Sequence, residues 1–193
     1  MACNAAAATG ERTLLVFGDS LSAAYGLRAE QGWVAQLQQR LATEGYGYRV
    51  VNASVSGETT SGGRNRIDRA LSQHRPELVL LELGANDGLR GLPVKEAQAN
   101  LRAMIEASRK AGARVLLLGI RIPPNYGPQY TRSFEGMYTS LSAELKIPLV
   151  PFLLESVALD ARYMQADGLH PNASGQPRVL DTVWPHLKPL LER

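Results

Sequence analysis

Five short apolar runs punctuate the chain at similar intervals, at residues 14–17, 50–53, 78–83, 115–120 and 149–152. Each is largely continuous rather than alternating, which is the pattern of a parallel strand buried on both faces. Amphipathic stretches lie between them, at 33–41, 61–73, 94–111 and 133–145, and a last one covers 176–191. Strand and helix thus alternate, and repeated strand-helix-strand units close into a sheet with helices on both faces. The expected fold is α/β: a three-layer αβα sandwich around a five-stranded parallel sheet. Gly112 caps the helix that ends at Lys110 and Ala111, and Pro76 and Pro148 stop helices just before strands.

Composition narrows what such a chain can do. Its 193 residues, 45% apolar and 20% charged, fit one domain over 13–193 with an ample core. Residues 1–12 are Ala-rich and without hydrophobic periodicity; they read as a disordered tail or as the remnant of a processed or vector-derived leader. The net charge of +3 is spread along the chain, without the basic stripe that nucleic-acid binding needs. No run is long enough to span a membrane. The single cysteine, Cys3, makes no internal disulfide, and three scattered histidines offer no zinc-ligand spacing, so no metal site is expected. Cys3 reads either as the stub of a lipoprotein cleavage site or as a vector-derived residue. Chemistry therefore falls to ordinary side chains, and in this fold class the ligand lies outside the carboxyl ends of the strands.

Those ends carry a consistent set of residues. The first strand runs into Gly18-Asp19-Ser20-Leu21-Ser22, the second into Ser54-Val55-Ser56-Gly57 and the third into Gly84-Ala85-Asn86-Asp87. After the fifth comes Asp167-Gly168-Leu169-His170-Pro171-Asn172. A serine hydroxyl becomes a competent nucleophile when a base takes its proton, and the oxyanion it generates needs donors. His170 can be that base. Asp167, three residues earlier, can take the imidazole N–H within one loop and fix the tautomer. The backbone N–H groups of Ser20 and Gly57, with the side-chain amide of Asn86, can supply the oxyanion donors.

With GDSLS at 18–22, VNASVSGETT at 51–60, LGAND at 83–87 and DGLHPN at 167–172, the chain resembles the GDSL or SGNH hydrolase family, whose four blocks appear in order. The resemblance implies the flavodoxin-like SGNH fold, with Ser20 as nucleophile, Asp167 and His170 completing a catalytic triad, and Ser20, Gly57 and Asn86 forming the oxyanion hole. It implies neither metal nor cofactor. The GxSxG elbow of ordinary α/β-hydrolases is absent. WVAQLQQRL at 33–41, LELGANDGLRG at 81–91 and IRIPPNYG at 120–127 are similar to a bacterial group of multifunctional thioesterases, lysophospholipases and arylesterases, usually periplasmic. That likeness spans roughly 13–190 and implies a periplasmic or secreted monomer acting on acyl esters and thioesters such as acyl-CoA, lysophospholipids and aryl esters. Ala24 departs from the pattern, since glycine is common there; it stiffens a turn and removes no catalytic group.

Other residues have plainer readings. Asp19 and Asp87 are expected to bond loop amides near the site rather than act in catalysis. His74 and His186 belong to solvated helix ends. Trp33, Phe152 and Met164 are expected in core or rim packing. The segment 84–91 reads as a flexible connection that adjusts over an acyl chain, and Leu89, Ile122, Pro123 and Tyr126 are the candidate substrate contacts. Two rival functions share the fold: a carbohydrate O-acetylesterase, and a flavodoxin-like binding or phospho-receiver module using Asp19 and Asp87. The second leaves Asp167 and His170 without employment.

Overall fold

The structure, a computed structural model, describes residues 12–193; residues 1–11 of the expected leader, Cys3 among them, lie outside the described residues, and its last residue, Arg12, instead begins the first strand. Five strands form one parallel sheet: β1 (Arg12–Gly18), β2 (Tyr48–Asn52), β3 (Leu78–Glu82), β4 (Arg114–Leu118) and β5 (Leu149–Val150), in the order β2-β1-β3-β4-β5. Residues 14–17 of β1 and all of β3 are buried, as continuous apolar runs in central strands require. Edge strand β2 differs from the sequence expectation: Val50 and Val51 are only half-buried because no strand lies beyond them. The fifth run is cut to two residues, since Pro151 has no N–H to extend the ladder.

Helix α1 (Trp33–Thr43) packs with α6 (Gln176–Leu187) on one face, while α2 (Thr60–His74), α4 (Val94–Lys110) and α5 (Pro128–Leu145) line the other. Each turns its apolar stripe inward; Leu101, Met104 and Ile105 of α4, spaced for one helical face, are fully buried. Helix α5 starts earlier than its periodicity suggests, because Pro128 sits at the first helical position, where the missing N–H costs nothing. The segment expected to be a flexible connection instead folds into a short helix, α3 (Ala85–Leu89), closed by Gly88 N–H donating to Gly84 O at 2.9 Å. Gly88 is required there: a Cβ would lie 2.6 Å from Ile122 Cγ2 and 2.8 Å from Phe134. Because β1 is followed by β2 on one side and the chain then returns to β3 on the other, the order reverses at β1 and β3, and a crevice opens beyond their carboxyl ends.

Candidate active site

Ser20 stands in the turn that follows β1, held by Ala23 N–H donating to Asp19 O (2.9 Å) and Tyr25 N–H to Ser20 O (3.3 Å). Its Oγ lies 2.9 Å from His170 Nε2, and His170 Nδ1 lies 2.6 Å from Asp167 Oδ2. The loop bearing both is preset by Asp167 Oδ1, which accepts from the N–H groups of Leu169 (2.9 Å) and His170 (3.1 Å), with Gly168 at φ 67° allowing the tight turn. Partial burial pulls the Asp167 carboxyl upward, but the Leu169 N–H, the His170 ring and the His170 N–H outweigh it and hold the carboxyl below its usual range. Gln165 ties this loop to the serine loop by donating to Tyr25 O (2.8 Å) and Pro171 O (3.1 Å). The Tyr25 ring leans on His170, 4.6 Å between centroids.

Asn86 is delivered by α3. Its Nδ2 donates to Asp19 Oδ2 (3.1 Å) and to Glu58 O (2.9 Å), joining the loops after β1, β2 and β3. Gly57, at φ 81°, has its carbonyl accepting from Arg90 Nη2 at 3.1 Å. Asp87 is buried and fixes the start of α2 by accepting from the N–H (2.9 Å) and hydroxyl (2.6 Å) of Thr60. Asp19 accepts from Leu21 N–H at 3.0 Å, and burial, opposed by that bond, by His170 and by Asn86, pushes its carboxyl up to about 6. Asp19 therefore bonds a loop amide, as expected from the sequence, while Asp87 bonds the first amide of α2.

Ser20, Asn86, Leu89, Ile122, Pro123 and His170 line one cavity of about 220 Å³. Tyr126, expected beside them, is absent from its lining. The Pro123-Pro124 turn carries it past the strand end, its phenol donates to Leu89 O at 2.8 Å, and it faces a separate open groove with Tyr130. A further groove of about 660 Å³ shares Ile122, Pro123, Leu154 and Leu169 with the serine cavity and continues along Phe152 and Met164. Trp33 is core, its indole N–H donating to Leu21 O at 3.2 Å. His74 and His186 fall in the last turns of α2 and α6. Sequence reasoning missed Glu82, Tyr25 and Arg90. A carboxylate inside an otherwise apolar strand run was the available signal for Glu82; nothing local marked the other two.

Among the described residues no group of three or more His, Cys, Asp or Glu side chains could hold a metal ion, and no helix is long and apolar enough to cross a membrane. A hydroxyl bonded to an imidazole whose other nitrogen meets a carboxylate can give up its proton, and adjacent N–H donors can hold the resulting oxyanion.

The sequence pattern of the GDSL-like Lipase/Acylhydrolase family matches residues 16–178. The chain is 56% identical over 180 residues to esterase TesA of Pseudomonas aeruginosa, covering 93% of this chain and 90% of that one. It is 43% identical over 179 residues to thioesterase 1/protease 1/lysophospholipase L1 of Escherichia coli, covering 93% and 85%. The crystal structure of the psychrotrophic esterase EstA from Pseudoalteromonas sp., inhibited by monoethylphosphonate, superposes with a TM-score of 0.89 at 45% identity over 93% of this chain and 98% of that one. The serine-bearing block after β1, the loops after β2 and β3 and the Asp-His loop all lie within the matched span, and the chain belongs to the GDSL-like lipase/acylhydrolase family of hydrolases.

Proposed function

We propose that residues 13–193 form a single hydrolase domain that cleaves acyl esters and thioesters through an acyl-enzyme on Ser20. The observation that carries this reading is the relay from Ser20 Oγ to His170 Nε2 and from His170 Nδ1 to Asp167 Oδ2. His170 takes the Ser20 proton as Oγ attacks the acyl carbon, and Asp167 stabilises the imidazolium that results. The oxyanion is held by the N–H groups of Ser20 and Gly57 and by Asn86 Nδ2. On collapse, His170 returns the proton to the leaving alcohol or thiol. Water, deprotonated by the same imidazole, then attacks the acyl-enzyme and releases the acid.

The acyl chain runs from Ser20 past Leu89, Ile122 and Pro123 into the groove along Leu154 and Leu169. Lining that stays mostly apolar well beyond an acetyl group, with Arg121, Glu135 and Glu155 among it, supports acyl esters over O-acetylated sugars, and relatives named esterase, arylesterase and thioesterase/lysophospholipase support the same class. On the resemblance to a usually periplasmic group we place the mature enzyme in the periplasm, acting as a monomer. A chain-length series of p-nitrophenyl and acyl-CoA esters tests the reading. Turnover should rise from acetyl toward octanoyl and vanish with Ser20→Ala; activity on acetyl esters alone would favour the O-acetylesterase, and full turnover by Ser20→Ala would reject the acyl-enzyme.

A further inference from the structure

Glu82 ends β3 opposite Gly18 of β1, beneath the serine loop. Its side chain is completely buried. Oε2 accepts from the N–H of Asp19 (3.2 Å) and the hydroxyl of Ser22 (2.7 Å), the two residues that bracket Ser20 and Leu21. Oε1 is buried with no hydrogen-bond partner. An ionised carboxylate would leave part of its charge on that oxygen, buried and with no N–H or hydroxyl donating to it, which is among the costliest arrangements a protein interior can hold. A proton on Oε1 removes the charge and leaves Oε2 free to keep its two bonds. We propose that Glu82 stays an undissociated carboxylic acid in the working enzyme and is a positioning residue for Ser20 and, through Asp19, for Asn86.

The surroundings fit this division of labour. Asp19 of the serine loop is the carboxyl beside Glu82; burial first, then the Asp19 charge, and last a side-chain hydrogen bond in which the Asp19 carboxylate accepts the Glu82 proton, push Glu82 well above the ordinary carboxylate range. Ser22 and the Asp19 N–H act the other way, without overcoming burial. From α5, Tyr138 is buried nearby with its phenol donating to Leu83 O at 3.0 Å, so it offers no positive charge. Asp87 of α3 and His170 of the Asp-His loop act on Asp19, the first opposing and the second favouring its ionisation. Two adjacent buried carboxyls do not both ionise readily. With Glu82 neutral, Asp19 carries the charge and remains a pure acceptor for Leu21 N–H and for Asn86 Nδ2. Were the proton on Asp19 instead, its O–H could face the Asn86 amide donor to donor, and the oxyanion donor would lose its orientation.

The inference rests on the Ser20 reading above, and its test separates the two. Infrared difference spectra of the full chain, native minus Glu82→Gln at neutral pH, should show the carbonyl band of an undissociated carboxylic acid. Glu82→Gln keeps one acceptor oxygen and no charge, so kcat, KM and the pH profile should stay within about threefold of native. Glu82→Leu deletes both bonds to the serine loop and should lower kcat about tenfold or more at unchanged KM, with phosphonylation of Ser20 slowed alike. Should that variant fail to fold, Ser22→Ala, which removes one of the two bonds, should lower kcat several-fold with the fold kept. Absence of the acid band, a folded Glu82→Gln that loses more than about tenfold in kcat or shifts its pH profile, or a Glu82→Leu that is less stable but fully active would overturn the proposal. If Ser20→Ala remained active while the band persisted, the acyl-enzyme reading would fail and the protonation of Glu82 would stand.

Discussion

Replacing Asn86 by Ala isolates the donor that joins all three loops of the site. Its Nδ2 spends both N–H groups in the resting structure, one on Glu58 O at 2.9 Å and one on Asp19 Oδ2 at 3.1 Å. An oxyanion at Ser20 must draw on one of them, and the longer bond, to Asp19, is the one that yields. A side-chain oxyanion donor contributes about 2.7–4 kcal/mol, or roughly 10²–10³ in kcat. Here the gain is net of a hydrogen bond to a carboxylate that weakens as the oxyanion forms, and such a bond contributes about 1.5–3 kcal/mol. Sharing one N–H between two acceptors recovers part of that, which leaves about 1.5–2.7 kcal/mol, so a loss of about 10- to 10²-fold in kcat is expected with KM within about threefold. Because Asn86 also helps to hold Asp19 in its charged form, the Asp19 carboxyl should rise further above its present value of about 6. Steady-state hydrolysis of p-nitrophenyl butyrate, with a melting curve to show that the variant is folded, measures both. A kcat within threefold of native, or a loss confined to KM, would refute the assignment of Asn86 as an oxyanion donor.

Ala24 adopts φ 58°, a left-handed conformation that costs a residue with a Cβ about 1–2 kcal/mol. Ala24→Gly removes that strain at about 0.5–1 kcal/mol of backbone entropy, a net gain of up to about 1.5 kcal/mol, so Tm should hold or rise by up to about 6 °C in a domain of this size; a lower Tm would contradict the reading. Gly88→Ala would push a methyl to 2.6 Å from Ile122 and should destabilise by about 1–3 kcal/mol. It should also lower kcat, since Gly88 lies on α3 with Asn86, and an unchanged Tm would count against the packing argument. The pH dependence of stability has a definite sign. Asp19 and Glu82 both bind protons more tightly folded than unfolded, so their contribution is complete below about pH 4 and declines as pH rises, through about 6 for Asp19 and higher for Glu82. Glu82→Gln lacks the second loss, and its Tm should gain on native between pH 5 and pH 9; a difference independent of pH would mean that Glu82 does not hold its proton in the fold.

Much of this molecule is legible in sequence because buried parallel strands need continuous apolar runs, and 78–83 could hardly be anything else. The short blocks were legible too: Ser20 and Asn86 follow the ends of β1 and β3 directly, while the Asp167-His170 loop comes 17 residues after β5 ends and is brought beside them by the fold. Tertiary packing decided the rest. Segment 84–91, with three glycines, has poor helix propensity, yet Gly88 is wanted for its missing side chain against Ile122 and Phe134, and α3 forms. Tyr126 lies off the serine cavity, its phenol donating to Leu89 O after the Pro123-Pro124 turn, a contact no local pattern encodes. Glu82 stood out only as a carboxylate in an apolar strand run; the geometry showed Asp19 and Ser22 donating to one of its oxygens and no donor on the other.

The central claim is that Ser20 is acylated during turnover with His170 as its base. Reaction with a fluorophosphonate, followed by intact mass and peptide mapping, tests it most directly. The account predicts one adduct per chain on the peptide carrying Ser20, activity lost in proportion to labelling, and no adduct on Ser20→Ala, whose kcat should fall about 10⁴-fold or more. Hydrolysis that survives complete labelling, or an adduct on another residue that accounts for the inhibition, would contradict it.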